Sequence, residues 1–372
     1  MPCHLYRCDL PLLRPLATSR GLISQRTTWV VEIVTDSGAC GYGEAAPLPG
    51  FGGEDPELCA KALDKAVNAL TSEAVSRWLE RGKADAPLGH LLEPLLTHTP
   101  CARHAIEGAL IDLLAQSRGY PVSAFLAETC LSGSSSVVVQ VNALVDGPEE
   151  ARWAAGQGYR TVKAKISGEP WHAAERALAI RAALDSFSSV ATPGAALKLR
   201  LDANGAWNLD QALDFCARST AAGLELLEQP LDPLRTSHLD ELSTLRRRAG
   251  CRISVDESIR SAADVGRVGA AQAADAVVLK PMFLGGWRPT LQAVQLARTC
   301  GLGVIVTSAL DGSIGLAFAA HMAAACSLTE FAHGLATGER FEADLTTEPL
   351  TVKNGGMLIR DRPGLGIGTL AG

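Results

Sequence analysis

Clustered lysine or arginine is missing from this chain, whose 372 residues carry a formal net charge of −6. A nucleic-acid partner would require a basic stripe, so that class is excluded. Also missing is any uninterrupted apolar stretch of about 18 residues, the length that marks a membrane span. The opening "MPCHLYRCDLPLLRPL" lacks the charged-then-apolar architecture of a secretory leader. Ten cysteines are scattered without a C-x-x-C or a Cys/His ligand spacing, and the eight histidines occur singly. The thiols therefore read as reduced side chains of a cytoplasmic protein, and no histidine is a candidate base. What is present is 47% hydrophobic and 20% charged residues, enough for a substantial core and too apolar for disorder.

Two textures follow one another along the chain. "WVVEIVTDSGACGYGEAAP" reads as a hairpin about a D-S-G turn. "DPELCAKALDKAVNALTS" and "CARHAIEGALIDLLAQSRGY" then carry helical spacing, the latter stopping at Gly119. This is an α+β module. From about residue 135, short apolar runs alternate with amphipathic stretches: "VVVQVNALV", "TVKAKI", "LKLRLDAN", "LELLEQP", "CRISVDES", "AVVLKP" and "VIVTSAL". Continuous apolar strands alternating with helices predict a parallel sheet covered on both faces, either closed into a barrel or open.

Each of five strands ends in a polar residue: Lys165, Asp202, Glu228, Asp256 and Lys280, at steps of 37, 26, 28 and 24 residues. Those are βα-unit lengths, and in a barrel the carboxyl ends of the strands converge on one mouth. Within "TVKAKI", Lys163 and Lys165 share one face of the strand. Two ammonium groups side by side need an anionic partner, and three carboxylates on the next three strands supply it. Such carboxylates cannot all stay ionised without a cation. Oxygen-only ligands point to Mg²⁺ or Mn²⁺. A substrate carboxylate held there would have its α-proton acidified. A lysine beside the ion and a second ammonium titrates lower than usual and can serve as the base. Any one of these positions alone reads as a helix cap or surface charge. Five in register read as a catalytic constellation.

The constellation resembles the enolase superfamily, in its muconate lactonising enzyme subgroup. "GYGEAAPLPGF", "VKAKI", "LDANGAWN", "EQPL", "VDES", "LKP" and "RPGLGI" carry the likeness over nearly the whole chain. It implies a (β/α)7β modified TIM barrel (131–335), an α+β capping domain (1–130) and a C-terminal segment (336–372) that returns to the cap. By this resemblance Asp202, Glu228 and Asp256 are metal ligands, and Lys163, Lys165 and Lys280 form the catalytic set. Within the subgroup, "GEAAPLPGF", "TSALDGSIGLA" and "HGLATG" are similar to the o-succinylbenzoate synthases. That likeness implies a small carboxylate substrate and a syn dehydration with Lys165 as the single base. Lys280 would stabilise the enediolate from the other face.

Dipeptide epimerases of the subgroup carry a D-x-D at the eighth strand, absent from "FAHGLATGERFEAD". N-succinylamino acid racemases and muconate cycloisomerases share the lysines and stay open as alternatives. A silent binding barrel would have lost a ligand or a lysine, and all are present. Candidate substrate contacts are Arg20, Asn204, Ser308 and the glycines Gly285, Gly286 and Gly312, whose N–H groups could approach a carboxylate. Loops "ATSRGLISQ" and "PLPGFGGEDP" are expected to close over the mouth.

Overall fold

A computed structural model of the chain describes residues 3–18, 21–36, 38–81, 92–130, 137–191 and 196–371. The sequence boundary at 130/131 adjoins a stretch outside them. At the N-terminus, strands β1 (Cys3–Thr18), β2 (Gly21–Val34) and β3 (Cys40–Ala45) form an antiparallel sheet in that order. The β2–β3 hairpin is the one the D-S-G turn predicts. β1 is not anticipated by its sequence, because Pro11 and Pro15 argue against a strand. It tolerates them as an edge, with a register shift between Pro11 and Leu16.

Helices α1 (Pro56–Ala69), α2 (Ser72–Arg81), α3 (Glu93–Leu96), α4 (Pro100–Arg118) and α5 (Val122–Ala127) follow. Asp55 caps α1 by accepting from the N–H groups of Glu57 and Leu58. Gly119, at φ 74, ends α4.

After β4 (Val138–Gln140), strand and helix alternate. The series runs β5 (Ala143–Val145), α6 (Pro148–Gly156), β6 (Thr161–Lys165), α7 (Pro170–Ala191), β7 (Lys198–Asp202) and α8 (Leu209–Arg218). It continues with β8 (Leu224–Glu228), α9 (His238–Arg248), β9 (Arg252–Val255), α10 (Ala262–Ala270) and β10 (Ala276–Leu279). α11 (Pro281–Leu284), α12 (Trp287–Thr299), β11 (Gly303–Val306) and α13 (Ser313–Ala325) complete it.

The sheet is parallel, in the order β11-β10-β9-β8-β7-β6-β5. An eighth strand, reduced to bridging positions, closes it: His333 bridges Val141 beside β5, and Gly334 bridges Thr307 beside β11. His333 is fully buried, its Nδ1 accepting from the Val306 N–H at 3.0 Å and its Nε2 donating to the Leu328 carbonyl at 2.9 Å. Burial pulls its pKa down to about 4, so it serves this closure as a neutral ring.

The tail then returns to the N-terminal module. Phe341 bridges Leu12, Gly364 bridges Pro121, and the Leu365 N–H donates to Asp112 at 2.8 Å. β12 (Val352–Lys353) and β13 (Gly356–Leu358) pair with β4 in a small separate sheet.

Buried carboxylates of the N-terminal module cap barrel helices. Glu44 of β3 accepts from the N–H groups of Gly312 (2.7 Å) and Gly315 (2.8 Å) at the start of α13. Glu107 of α4 accepts from the Trp287 N–H (2.5 Å) at the start of α12. Helix N-termini present unpaired donors and positive potential, which suits an anion. Burial raises both carboxyls, Glu107 to about 7, while these hydrogen bonds pull the other way.

Gly286 makes the α12 contact possible. Its φ is 102°, and a Cβ there would lie 2.0 Å from Glu107 Oε2. Gly286→Ala is therefore expected to cost about 3 kcal/mol or more from backbone strain plus overpacking. Urea unfolding checks this, and a loss below about 0.5 kcal/mol would contradict the crowding.

Candidate active site

Parallel pairing sets three of the polar strand ends at one level. Lys165 is registered with Asp202, and Asp202 with Glu228. Asp256 and Lys280 follow directly after β9 and β10. Alternation along β6 buries Val162, Ala164 and Ile166 on one side and turns Lys163 and Lys165 to the other, where both line a cavity at the barrel mouth. Asp202, Asp256 and Lys280 line it too. β6 and β10 are the second and sixth of eight strands, so Lys165 and Lys280 face each other across the mouth.

Lys163 Nζ lies 2.5 Å from Glu228 Oε1 and 3.0 Å from Asp202 Oδ2. Lys280 Nζ lies 2.5 and 2.7 Å from the two Asp256 oxygens. Burial opposes the charge on Lys163, yet Asp202, Glu228 and Asp256 outweigh it and hold the ammonium above the usual lysine range. Lys280 is raised in the same way, by Asp256 and then Glu257 against burial. Burial also pushes Glu228 up to about 8, with Asp202 and Asp256 adding to the rise and Lys163 opposing it.

Among the described residues no three carboxylate, histidine or cysteine side chains already stand as a cage for an ion. Lys163 occupies the gap between Asp202 and Glu228 instead. The donor set still suits a hard divalent cation. It is all oxygen and nearly fully buried, and three carboxylates gathered in one place call for a cation among them.

Several supporting side chains escaped the sequence reading. Gln229, fully buried at φ 36, accepts from the N–H groups of Asp256 (3.0 Å) and Ser258 (3.2 Å), which fixes the Asp256 turn. Asn204, a candidate substrate contact, lines the cavity. Its N–H donates to Asp202 Oδ1 at 3.0 Å and its amide to Glu257 Oε1 at 3.0 Å, so its polar groups act on the carboxylate cluster. Arg26 is 4% exposed and donates to the carbonyls of Leu310 (3.2 Å), Pro47 (2.9 Å) and Ala46 (2.7 Å). It thereby ties a barrel loop to the "PLPGF" loop. Only "VDES" could have pointed to Glu257. Arg26 gives no local signal, since its partner Leu310 is 284 residues away.

The remaining candidates divide. Ser308 lines the cavity, its hydroxyl 2.6 Å from that of Thr337. Gly285, Gly286 and Gly312 do not line it. The N–H groups of Gly285 and Gly286 both donate to the Pro281 carbonyl at 3.0 Å, and that of Gly312 to Glu44. The expectation that these three glycines face substrate is corrected: their donors are taken, and a Cβ would meet Glu107 at Gly286 and Leu345 at Gly312. Arg20 lies outside the described residues. The first expected loop is corrected: its described residues end β1 and begin β2, where paired Leu16 and Ile23 line the cavity, while the second loop lines it through Leu48 and Phe51.

Comparison with known proteins gives two family matches. Residues 148–369 match the model described as enolase C-terminal domain-like, and residues 4–127 match the mandelate racemase / muconate lactonizing enzyme N-terminal domain. The chain is 40% identical over 225 residues to the o-succinylbenzoate synthase of Thermobifida fusca, covering 60% of this chain and 67% of that protein. It is 30% identical over 358 residues to the L-Lys-D/L-Arg epimerase of Methylococcus capsulatus, covering 96% and 95%. Among solved structures, the Methylococcus capsulatus dipeptide epimerase complexed with Mg and L-Arg-D-Lys superposes with a TM-score of 0.80 at 26% identity, covering 98% of each chain.

Proposed function

The chain belongs to the enolase superfamily, in its mandelate racemase / muconate lactonizing branch, and from that premise we propose that it is an o-succinylbenzoate synthase. The reaction is the Mg²⁺-dependent syn dehydration of 2-succinyl-6-hydroxy-2,4-cyclohexadiene-1-carboxylate. The observation that carries this reading is the pair of lysines facing each other across a mouth that holds three buried carboxylates.

Asp202, Glu228 and Asp256 would hold the ion, with Mn²⁺ as a substitute. When bound, it draws electron density from the substrate carboxylate and acidifies the adjacent carbon. Lys165 takes that α-proton and returns it on the same face to the departing hydroxide, so water leaves and the ring becomes aromatic. Lys280, opposite, stabilises the enediolate's negative charge. Lys163 neutralises part of the Asp202–Glu228 pair, and Asn204 orients Asp202. Leu48 and Phe51 exclude water from the carbanion-like centre. The magnesium in the Methylococcus structure supports the choice of ion.

One observation favours the synthase over a dipeptide epimerase. The residues lining the cavity after the eighth strand are Gly334, Ala336, Thr337 and Arg340, with no carboxylate to hold an ammonium. Over nearly the whole chain, the o-succinylbenzoate synthase of Desulfotalea psychrophila and the Methylococcus epimerase are each 30% identical, so the lining of the cavity carries the choice between them. A second reading, racemisation of N-succinylamino acids, draws on the same facing lysines. Purified protein with Mg²⁺ should convert the cyclohexadiene substrate to o-succinylbenzoate, and substrate left unchanged would overturn the assignment.

The loop contacts give a further expectation. Arg26→Lys cannot reach three carbonyls at once, so Leu48, Phe51 and Leu310 should lose their fixed positions. KM should rise about 10-fold with a smaller change in kcat. An unaltered KM would remove Arg26 from loop positioning.

A further inference from the structure

Arg340 ends a short turn (Gly338–Arg340) after the eighth strand and lines the cavity, half-buried. The eighth strand stands opposite β8 in the barrel, so this turn lies across the mouth from Glu228. Four cations line the cavity among the described residues: Lys163, Lys165, Lys280 and Arg340. Lys163 and Lys280 are bonded to the ligand carboxylates. The Arg340 guanidinium makes no ion pair or hydrogen bond within the described residues.

Hydroxyl groups stand on the same wall. Ser308 and Thr337 share one hydrogen bond at 2.6 Å, and both are buried. Two hydroxyls that share one bond leave a second O–H hydrogen for another acceptor. A guanidinium and a spare hydroxyl donor together form a receptor for a carboxylate, which Arg grips with a planar fork. The ammonium of a dipeptide would meet a like charge there.

We propose that Arg340, with the Ser308–Thr337 pair, binds a second carboxylate at the far end of the substrate and so selects dicarboxylates with an anionic tail. This rests on the reading of the cavity as a site for proton abstraction beside a first carboxylate, held at Asp202, Glu228 and Asp256. The two carboxylates of one molecule then span the mouth. Asp146, which follows β5, also lines the cavity, and β5 lies between β6 and the eighth strand, so its carboxylate stands between Lys163 and Lys165 on one side and the Arg340 wall on the other.

The test is binding, which does not depend on turnover. Mg²⁺-loaded protein is titrated calorimetrically with o-succinylbenzoate and with 2-butanoylbenzoate, which has a methyl group in place of the distal carboxylate. Wild type should bind the dicarboxylate about 10- to 100-fold more tightly, the range of a charged hydrogen-bonded contact. Arg340→Gln should reduce that ratio to within about 3-fold, by weakening the dicarboxylate alone, and Arg340→Lys should keep part of it. An undiminished ratio in folded Arg340→Gln, or no preference in wild type, overturns the proposal. Dehydration by the wild type is measured in parallel. A preference that depends on Arg340 in a protein without that activity would uphold the subsite and refute the synthase reading; activity with no preference would do the reverse.

Discussion

EDTA is expected to abolish turnover, and Mg²⁺ or Mn²⁺ to restore it. Asp202, Glu228 and Asp256 are 3%, 2% and 8% exposed, and charges so buried persist only with compensating cations. The lysines provide that compensation in part, and in doing so their ammonium groups are held on the ligand carboxylates. A divalent ion held by these carboxylates would take over that role and would leave Lys280 free to act on substrate. Glu228→Gln removes a charge from the middle of the cluster and should weaken Mg²⁺ binding about 100-fold or more in a protein that stays folded. Calorimetric titration of the metal checks this beside circular dichroism. Full activity in metal-free protein would refute the ligand assignment.

Separating the two lysines should produce an effect as large. Lys165→Ala is expected to lower dehydration at least about 10⁴-fold, the upper end of what a positioned acid–base group contributes. Exchange of the substrate α-proton with D₂O should be lost with it. Lys280→Arg keeps a positive charge and should retain measurable dehydration. Racemisation of N-succinylamino acids needs a proton carrier on each face, and arginine does not deprotonate in proteins, so that activity should vanish in Lys280→Arg. Loss of both activities in a folded, Mg²⁺-binding variant would count against a purely electrostatic Lys280.

The ring of lysines and carboxylates at the barrel mouth was legible because it is written in local rules. Period-two alternation places Lys163 and Lys165 together, and βα-unit spacing brings Asp202, Glu228, Asp256 and Lys280 to one rim. The family matches over residues 148–369 and 4–127 agree with the fold and family read from the motifs. What local rules do not encode was missed. β1 hides behind two prolines that only an edge strand accepts. The eighth strand is two bridging residues, His333 and Gly334, too short to show a period.

The glycines mislead for a related reason. A glycine signals close approach but does not name what approaches. At Gly286 the neighbour is the buried carboxylate Glu107, and at Gly312 it is the Leu345 side chain with Glu44 behind it, all from elements distant in sequence. Arg26 and Gln229 likewise act through backbone groups that tertiary closure alone brings within reach.

The measurement that bears most directly on the function is kcat/KM of the Mg²⁺-loaded protein for three compounds side by side: the cyclohexadiene carboxylate, an N-succinylamino acid and the dipeptide L-Ala-L-Glu. Dehydration is expected to exceed dipeptide epimerisation by at least about 100-fold, a difference near 3 kcal/mol in transition-state binding. Epimerisation of the dipeptide as fast as dehydration, or faster, would contradict the synthase assignment.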